Sequence, residues 1–309
     1  MKTTNFFKTA FLLFAVVGIL MTGCRKDDED PANTDNLKQT SKDEVALKAA
    51  DDMATNDVNQ ILGGSGNKTM LWVPCNATLD STFVIADTIT YIITYNGLNC
   101  EGTYNRTGTI EAHKSINGHW ADAGAAVYIK AINFKITRIS DGRWVIVNGS
   151  KRFSNESGGT IGQLGSTLTS VTHKVVGSIT ATFDDNSTRA WSVARLKVYT
   201  GAPGSLVVNM TGTGSADGYT GLESWGVNRH GDSYYNSVTS AIVMKEACSW
   251  DPIAGGGIIS IPAEDISATV TFGYDSNAQL VDVNGTTCAT HYRVDWTKDN
   301  NSGTFYVAL

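Results

Sequence analysis

The chain is short of charge, of proline and of any basic cluster. Charged residues fill 17% of 309 positions and only 5 residues are proline, too few of either for a chain that stays unfolded. A formal charge of -6 and a pI near 5.3, with no gathered Lys or Arg, exclude nucleic acid as a partner, because phosphate binding needs a cationic face. Histidine is scarce as well. His113, His119, His173, His230 and His291 include no pair one helical turn apart, so no metal motif is formed and no cofactor is implied. Long apolar runs are absent except for Thr9 to Thr22, which is shorter than the roughly 20 residues a membrane-spanning helix requires.

That one run follows Lys2 and Lys8 and ends in Gly23-Cys24, which is the anatomy of a secretory signal. Leu20-Met21-Thr22-Gly23-Cys24 resembles a bacterial lipobox, with Met21 where Leu is commoner. Ordinary secretory cleavage that leaves an incidental Cys is the alternative. A lipobox implies acyl chains on Cys24, and at about 0.8 kcal/mol per buried methylene several chains make a lasting membrane anchor. Arg25-Lys26-Asp27-Asp28-Glu29-Asp30 then looks like an acidic export tag that directs lipoproteins to the outer face of the outer membrane. The expected division is a signal at 1–23, an acidic disordered tether at 24–40, a short helix at 41–64, and a β domain at 65–309, as one body or two lobes.

The helix expectation rests on Ser41-Lys42-Asp43-Glu44, which has the form of a capping box, followed by Leu47, Ala50, Ala54, Val58 and Ile61 at helical spacing. Gly63-Gly64 supplies a stop. From Met70 onward the period changes to two. Thr88 to Tyr95, Ala126 to Ile139, Ala190 to Tyr199 and Ala268 to Tyr274 alternate with β-branched and aromatic residues. Asn96-Gly97, Asn117-Gly118, Asp141-Gly142, Asn148-Gly149 and Asn284-Gly285 read as turns. Short strands without helix-length connections predict an all-β fold, an antiparallel β-sandwich or a curved meander sheet, with one N-terminal helix.

Apart from Cys24 there are four cysteines, Cys75, Cys100, Cys248 and Cys288, an even number that suits disulfides in an exported chain. Three connectivities are open. Cys75 with Cys100 and Cys248 with Cys288 are favoured, because each pair brackets a similar stretch of alternating strand that ends in a polar turn.

The acidic tether, the helix with Ala49-Ala50-Asp51-Asp52 and the stretch Asn99-Cys100-Glu101-Gly102-Thr103-Tyr104 come in a characteristic order. Thr188-Arg189-Ala190-Trp191-Ser192, Gly226-Val227-Asn228-Arg229-His230-Gly231 and Cys248-Ser249-Trp250 continue it. In that order the chain resembles a group of uncharacterised surface lipoproteins of Bacteroidota with a Cys-containing β domain. The resemblance implies an architecture and a location, and no activity.

No catalytic set emerges. Asp184, Asp185, Glu223, Asp232, Glu264 and Asp265 are expected in loops, with no spacing that selects a pair for glycoside hydrolysis. Tyr219, Trp225, Arg229 and Tyr234 combine aromatics with a polar side chain, as sugar-binding surfaces do, against the plainer reading of a long hairpin whose aromatics cover the sheet. The sequence therefore points to a non-enzymatic protein held to the membrane through Cys24, with a structural or interaction role. Its partner would be a glycan or another surface protein; a hydrolase is the least favoured reading.

Overall fold

Strands joined by short connections pair with their chain neighbours in antiparallel fashion, because a parallel partner needs a crossover of a dozen residues or more. The computed structural model describes residues 34–63, 73–85 and 87–309. The signal, Cys24 and the acidic run lie outside them. A helix, α1 (Asp35–Gly63), comes first. The sheet begins with β1 (Ala77–Ile85), β2 (Thr88–Leu98), β3 (Tyr104–Ser115), β4 (Ala125–Arg138), β5 (Trp144–Asn155), β6 (Ser170–Phe183) and β7 (Thr188–Thr200). It continues with β8 (Val207–Gly212), β9 (Gly214–Ala216), β10 (Tyr219–Val227) and β11 (Ser233–Lys245). It ends with β12 (Pro252–Ile261), β13 (Ile266–Tyr274), β14 (His291–Lys298) and β15 (Asn301–Ala308).

All fifteen strands belong to one antiparallel sheet, a curved meander rather than a sandwich. The order follows the chain except at one slot: β10 lies against Trp191 to Val193 of β7, while β8 lies against Arg195 to Thr200, and both also pair with β11. Ten strand steps separate β2 from β14, roughly 48 Å if the sheet were flat. Yet both strands touch the helix. Tyr95 Oη donates to Asp57 Oδ2 at 2.7 Å, and Tyr292 Oη donates to the Ser41 carbonyl at 2.9 Å. Those helix positions are only about 24 Å apart along the axis, so the sheet curls around α1.

The helix is longer than the expected short one. It opens six residues before Ser41, with Lys38 N donating to Thr34 O at 2.9 Å, so residues 35–40 of the supposed tether are helical. Ser41 and Glu44 do not cap it. Both are buried against the sheet, and Glu44 takes hydrogen bonds from Arg189 (2.7 Å), Ser224 (2.6 Å) and Trp191 (3.3 Å). Two expected turns lie inside strands: Asn96-Gly97 in β2 and Asn148-Gly149 in β5. Gly149 is there for contact, since a Cβ would stand 2.6 Å from the Ser178 carbonyl. Asn148 Oδ1 meanwhile accepts from Asn133 N at 2.7 Å, where β4 bulges. The disulfides pair as favoured, Cys75 with Cys100 and Cys248 with Cys288.

The apolar stripe Leu37, Leu47, Ala50, Ala54, Val58 and Ile61 is buried, but α1 also buries Asp43, Glu44, Asp51 and Asp57. β7 turns Arg189, Trp191, Val193, Arg195, Lys197 and Tyr199 inward by strict alternation. Arg189 meets Glu44, Arg195 meets Asp51 at 3.3 Å, and Lys197 meets Asp52 at 2.6 Å. Lys151 of β5 also binds Asp51, and Arg106 of β3 binds Asp57 at 2.9 Å. Arg229 grips Asp43 through two nitrogens at 2.8 and 2.6 Å. Burial alone would raise the Glu44 carboxyl, but Arg189 and Lys48 hold it below its ordinary value. At Asp57 burial wins and the carboxyl is raised despite Tyr95 and Arg106.

Removing one partner of a buried ion pair leaves an uncompensated charge, at a cost of about 3–5 kcal/mol. Asp51→Ala should therefore shift the urea midpoint sharply downward, and adding Lys151→Met should recover part of the loss; equal midpoints for wild type and Asp51→Ala would refute the pairing. His173 of β6 gives a second test. Its ring sits among Trp120, Phe153 and Tyr199 at centroid distances of 5.5, 5.1 and 5.2 Å, and neither ring nitrogen has a hydrogen-bond partner. Burial, aided by Lys197, lowers its pKa to about 3. The unfolded chain takes up this proton near pH 6.5 while the folded chain does not, so acidification favours unfolding by about 1.4 kcal/mol per pH unit between those values. His173→Phe should lose less stability than wild type between pH 6.5 and 4.5 in urea titrations, where other titrating groups cancel in the difference.

Candidate functional site

A helix wrapped by a sheet leaves a void wherever facing side chains are too small to meet. Between one face of α1 and strands β8 and β11–β13 lies a cavity of about 530 Å³, within the range of small-molecule sites. Val45, Lys48, Ala49, Asp52, Met53 and Asn56 line it from the helix, at the three- and four-residue spacing of a single face. Opposite stand Met210, Ile242, Met244, Ile259, Val270 and Phe272, all buried and all apolar. One wall therefore suits hydrocarbon, and the helix side carries charge.

The rim is built from two loops. The β2–β3 turn contributes Glu101, Thr103 and Tyr104, and the β11–β12 connection contributes Ser249, Trp250 and Asp251. Each loop is tied by a disulfide immediately beside these residues, with Cα atoms 5.2 Å apart at Cys75–Cys100 and 5.3 Å apart at Cys248–Cys288. Ser249 and Trp250 both have positive φ, 54° and 70°. For a bulky residue such as Trp250 that conformation costs on the order of 1–3 kcal/mol. The surrounding bonds hold it, Trp250 N to Lys245 O and Asp251 N to Cys248 O, each at 3.0 Å.

The cations of the lining are engaged. Lys48 binds Glu223, Arg195 Nε lies 3.1 Å from Glu223 Oε2, and Arg106 binds Asp57. Of the carboxylates, Glu246 accepts from the Gly204 and Leu206 amides at 2.8 and 3.0 Å. The Asp251 and Glu101 carboxylates have no hydrogen bond or ion pair among the described residues. Burial raises Asp251 to about 6. Ser41 Oγ and Arg195 Nη2, on two residues of the lining, are buried without a hydrogen-bond partner. Polar atoms in that condition accommodate a water or a polar ligand group.

The four residues singled out as sugar-binding candidates fall in different places. Tyr219 stacks on Tyr235 at 4.1 Å with planes 9° apart, and Trp225 pairs with Tyr235 across the β10–β11 ladder. Tyr234 is fully buried on the helix side, beneath the Arg189 guanidinium at 4.3 Å. Arg229 is committed to Asp43 and, at 2.8 Å, to Asp185. Tyr219 and Trp225 thus share a face with Tyr235, whereas Tyr234 and Arg229 belong to the fold. Of the carboxylates weighed for catalysis, all but Asp265 have structural partners among the described residues, Asp184 and Asp185 both meeting Arg229. Glu223 is on β10 rather than in a loop and is buried among cations, while Asp232 and Glu264 both take hydrogen bonds from Asn36. Among the described residues no three His, Cys, Asp or Glu side chains gather as a metal site.

The sequence reading missed Glu101, Trp250 and Asp251. The available signal was their position beside Cys100 and Cys248, where a crosslink fixes the loop. The Asp251 side-chain carboxyl carbon should titrate by NMR with a midpoint near 6; a midpoint near the ordinary value of about 4 would place it in open solvent. Comparison with protein-family models, with curated proteins and with solved structures finds no match for this chain.

Proposed function

We propose that this is an exported, lipid-anchored cell-surface protein of the Bacteroidota type, without catalytic activity, that binds a small amphipathic molecule in the cavity beside α1. The observation that carries the reading is the 530 Å³ cavity, with an apolar wall facing a charged helix face. An apolar pocket with a few placed polar groups is the usual form of a small-molecule site. The anchor and the outward address rest on the lipobox-like Cys24 and the acidic run after it, and the two disulfides suit an oxidising compartment.

A chain from residue 25 onward should enhance the fluorescence of the neutral probe N-phenyl-1-naphthylamine. Ala49→Phe, which projects a ring from the helix into the cavity, should abolish the enhancement while leaving the urea midpoint unchanged or raised. No enhancement with wild type, or equal enhancement with the variant, would remove the cavity as the site. For the location, proteinase K added to intact cells should degrade the protein; full protection until lysis would defeat the surface assignment.

A second reading, glycan capture on the outer face, is favoured by the Tyr219–Tyr235 stack with Trp225 beside it. Aromatic faces of this kind stack on sugar rings. Glycan-array binding that disappears in Trp225→Ala would support it, and an array without a hit would dismiss it.

A further inference from the structure

The charges around the cavity narrow the ligand class further, on the footing that the cavity is the binding site. Folding consumes the cations: Lys48, Arg106 and Arg195 each face a carboxylate already within ion-pair distance. The rim has the opposite balance, because Asp251 and Glu101 carry no partner and Glu246 stands beside them in the lining. Two aromatic rings, Trp250 and Tyr104, share that rim. Carboxylates combined with aromatic faces are the chemistry that recognises ammonium groups, through charge and through the negative face of the ring. An anionic head group would meet three carboxylates and find no uncommitted cation.

We propose that the cavity selects amphipathic organic cations, holding a protonated amine or quaternary ammonium at the Asp251–Glu101 rim and the hydrocarbon against β8 and β11–β13. The lining separates the two chemistries: Met210, Ile242, Met244, Ile259, Val270 and Phe272 of β8 and β11–β13 supply the apolar surface, while Asp251, Glu101, Trp250 and Tyr104 come from the crosslinked loops and the strand end beside them. The half-buried Asp251 carboxyl, raised by burial to about 6, gains most from a cation that arrives to replace its lost water. The titratable and charged groups that share the lining with it are Glu101, Tyr104 and Glu246 from the strands and loops, the Asp57–Arg106 pair, Glu44, Lys48 and Asp52 of the helix, and Arg195, Glu223 and Tyr292 of the sheet, and none is a histidine.

The test compares heads on one tail. Dodecyltrimethylammonium, dodecylamine, dodecanol and dodecanoate, each below its micelle concentration, displace N-phenyl-1-naphthylamine from the chain beginning at residue 25, at pH 7.5 and low salt. Both cations should bind at least about tenfold more tightly than dodecanol, with dodecanoate weakest. Asp251→Asn should weaken dodecyltrimethylammonium about fivefold or more and leave dodecanol unchanged. Lowering the pH to 5 should weaken dodecyltrimethylammonium in wild type but not in Asp251→Asn, since that ligand does not titrate. Dodecanol or dodecanoate binding as tightly as the cations, with the probe bound normally, would overturn the cation site and leave the cavity reading standing. Full cation preference in Asp251→Asn would overturn it too. Failure of wild type to bind the probe or any of the four would sink both.

Discussion

The structure depends on a set of ion pairs between a buried acidic helix and a sheet that turns cations inward. Taking a charge out of water costs several kcal/mol, which is recovered only when its partner is well placed. On α1 the acids run from Asp43 to Asp57, about 21 Å of helix, and they are met by Arg229, Arg189, Arg195, Lys151, Lys197 and Arg106. Those cations come from β3, β5, β7 and the turn after β10. Sliding the helix by one turn, about 5.4 Å, would separate every pair at once. Helix register and sheet curvature therefore define each other, which apolar packing along a stripe of small residues such as Ala50 and Ala54 would do weakly.

The cavity is what remains where this lattice stops. Past Lys48 and Asp52 the helix presents Val45, Ala49 and Met53, and strands β8 and β11–β13 present Met210, Ile242, Met244, Ile259, Val270 and Phe272, together with the polar Asn236 and Ser237. The wall is also where the sheet is least regular. β8 and β10 share the slot between β7 and β11, meeting so closely at Gly212 that a Cβ there would stand 2.1 Å from the Gly221 carbonyl. Only glycine permits that junction, which sets Met210 and Glu223 on either side of it. Disulfides then fix the rim loops. With cysteines 25 and 40 positions apart in sequence, each crosslink stabilises the fold by about 2–4 kcal/mol, chiefly by restricting the unfolded chain.

Much of the sheet was legible because alternation is local: Thr88 to Tyr95 and Ala190 to Tyr199 fall within β2 and β7, and Ala126 to Ile139 overruns β4 by one residue. The direction of each face was not. Alternation in β7 reads equally well with Ala190, Ser192 and Ala194 inward, and only the acids of a helix well over a hundred residues earlier make Arg189, Arg195 and Lys197 the buried set. The same long-range pairing hid the role of Asp43, Glu44 and Asp51, which by themselves look like a solvated face. Asn148-Gly149 failed as a turn because a mid-strand glycine can also serve a close strand approach, and nothing adjacent in sequence distinguishes the two. Of the sugar-binding candidates, Tyr219 and Trp225 share an aromatic face, while Tyr234 and Arg229 were claimed by the interior.

Selectivity of the cavity follows from the same accounting of charge. Arg106, Lys151, Arg189, Arg195, Lys197 and Arg229 face Asp43, Glu44, Asp51, Asp52, Asp57 and Glu223, so the ionic interior is close to neutral. A neutral interior leaves the formal charge of -6 to the remaining residues, and at the rim the surplus takes the form of Asp251 and Glu101. An anionic ligand would meet the rim carboxylates, and every cation of the lining already stands in an ion pair. A cationic ligand breaks nothing. The arrangement that fixes the fold thus also sets the sign of the charge the cavity accepts, with no residue reserved for that purpose other than two carboxylates on crosslinked loops.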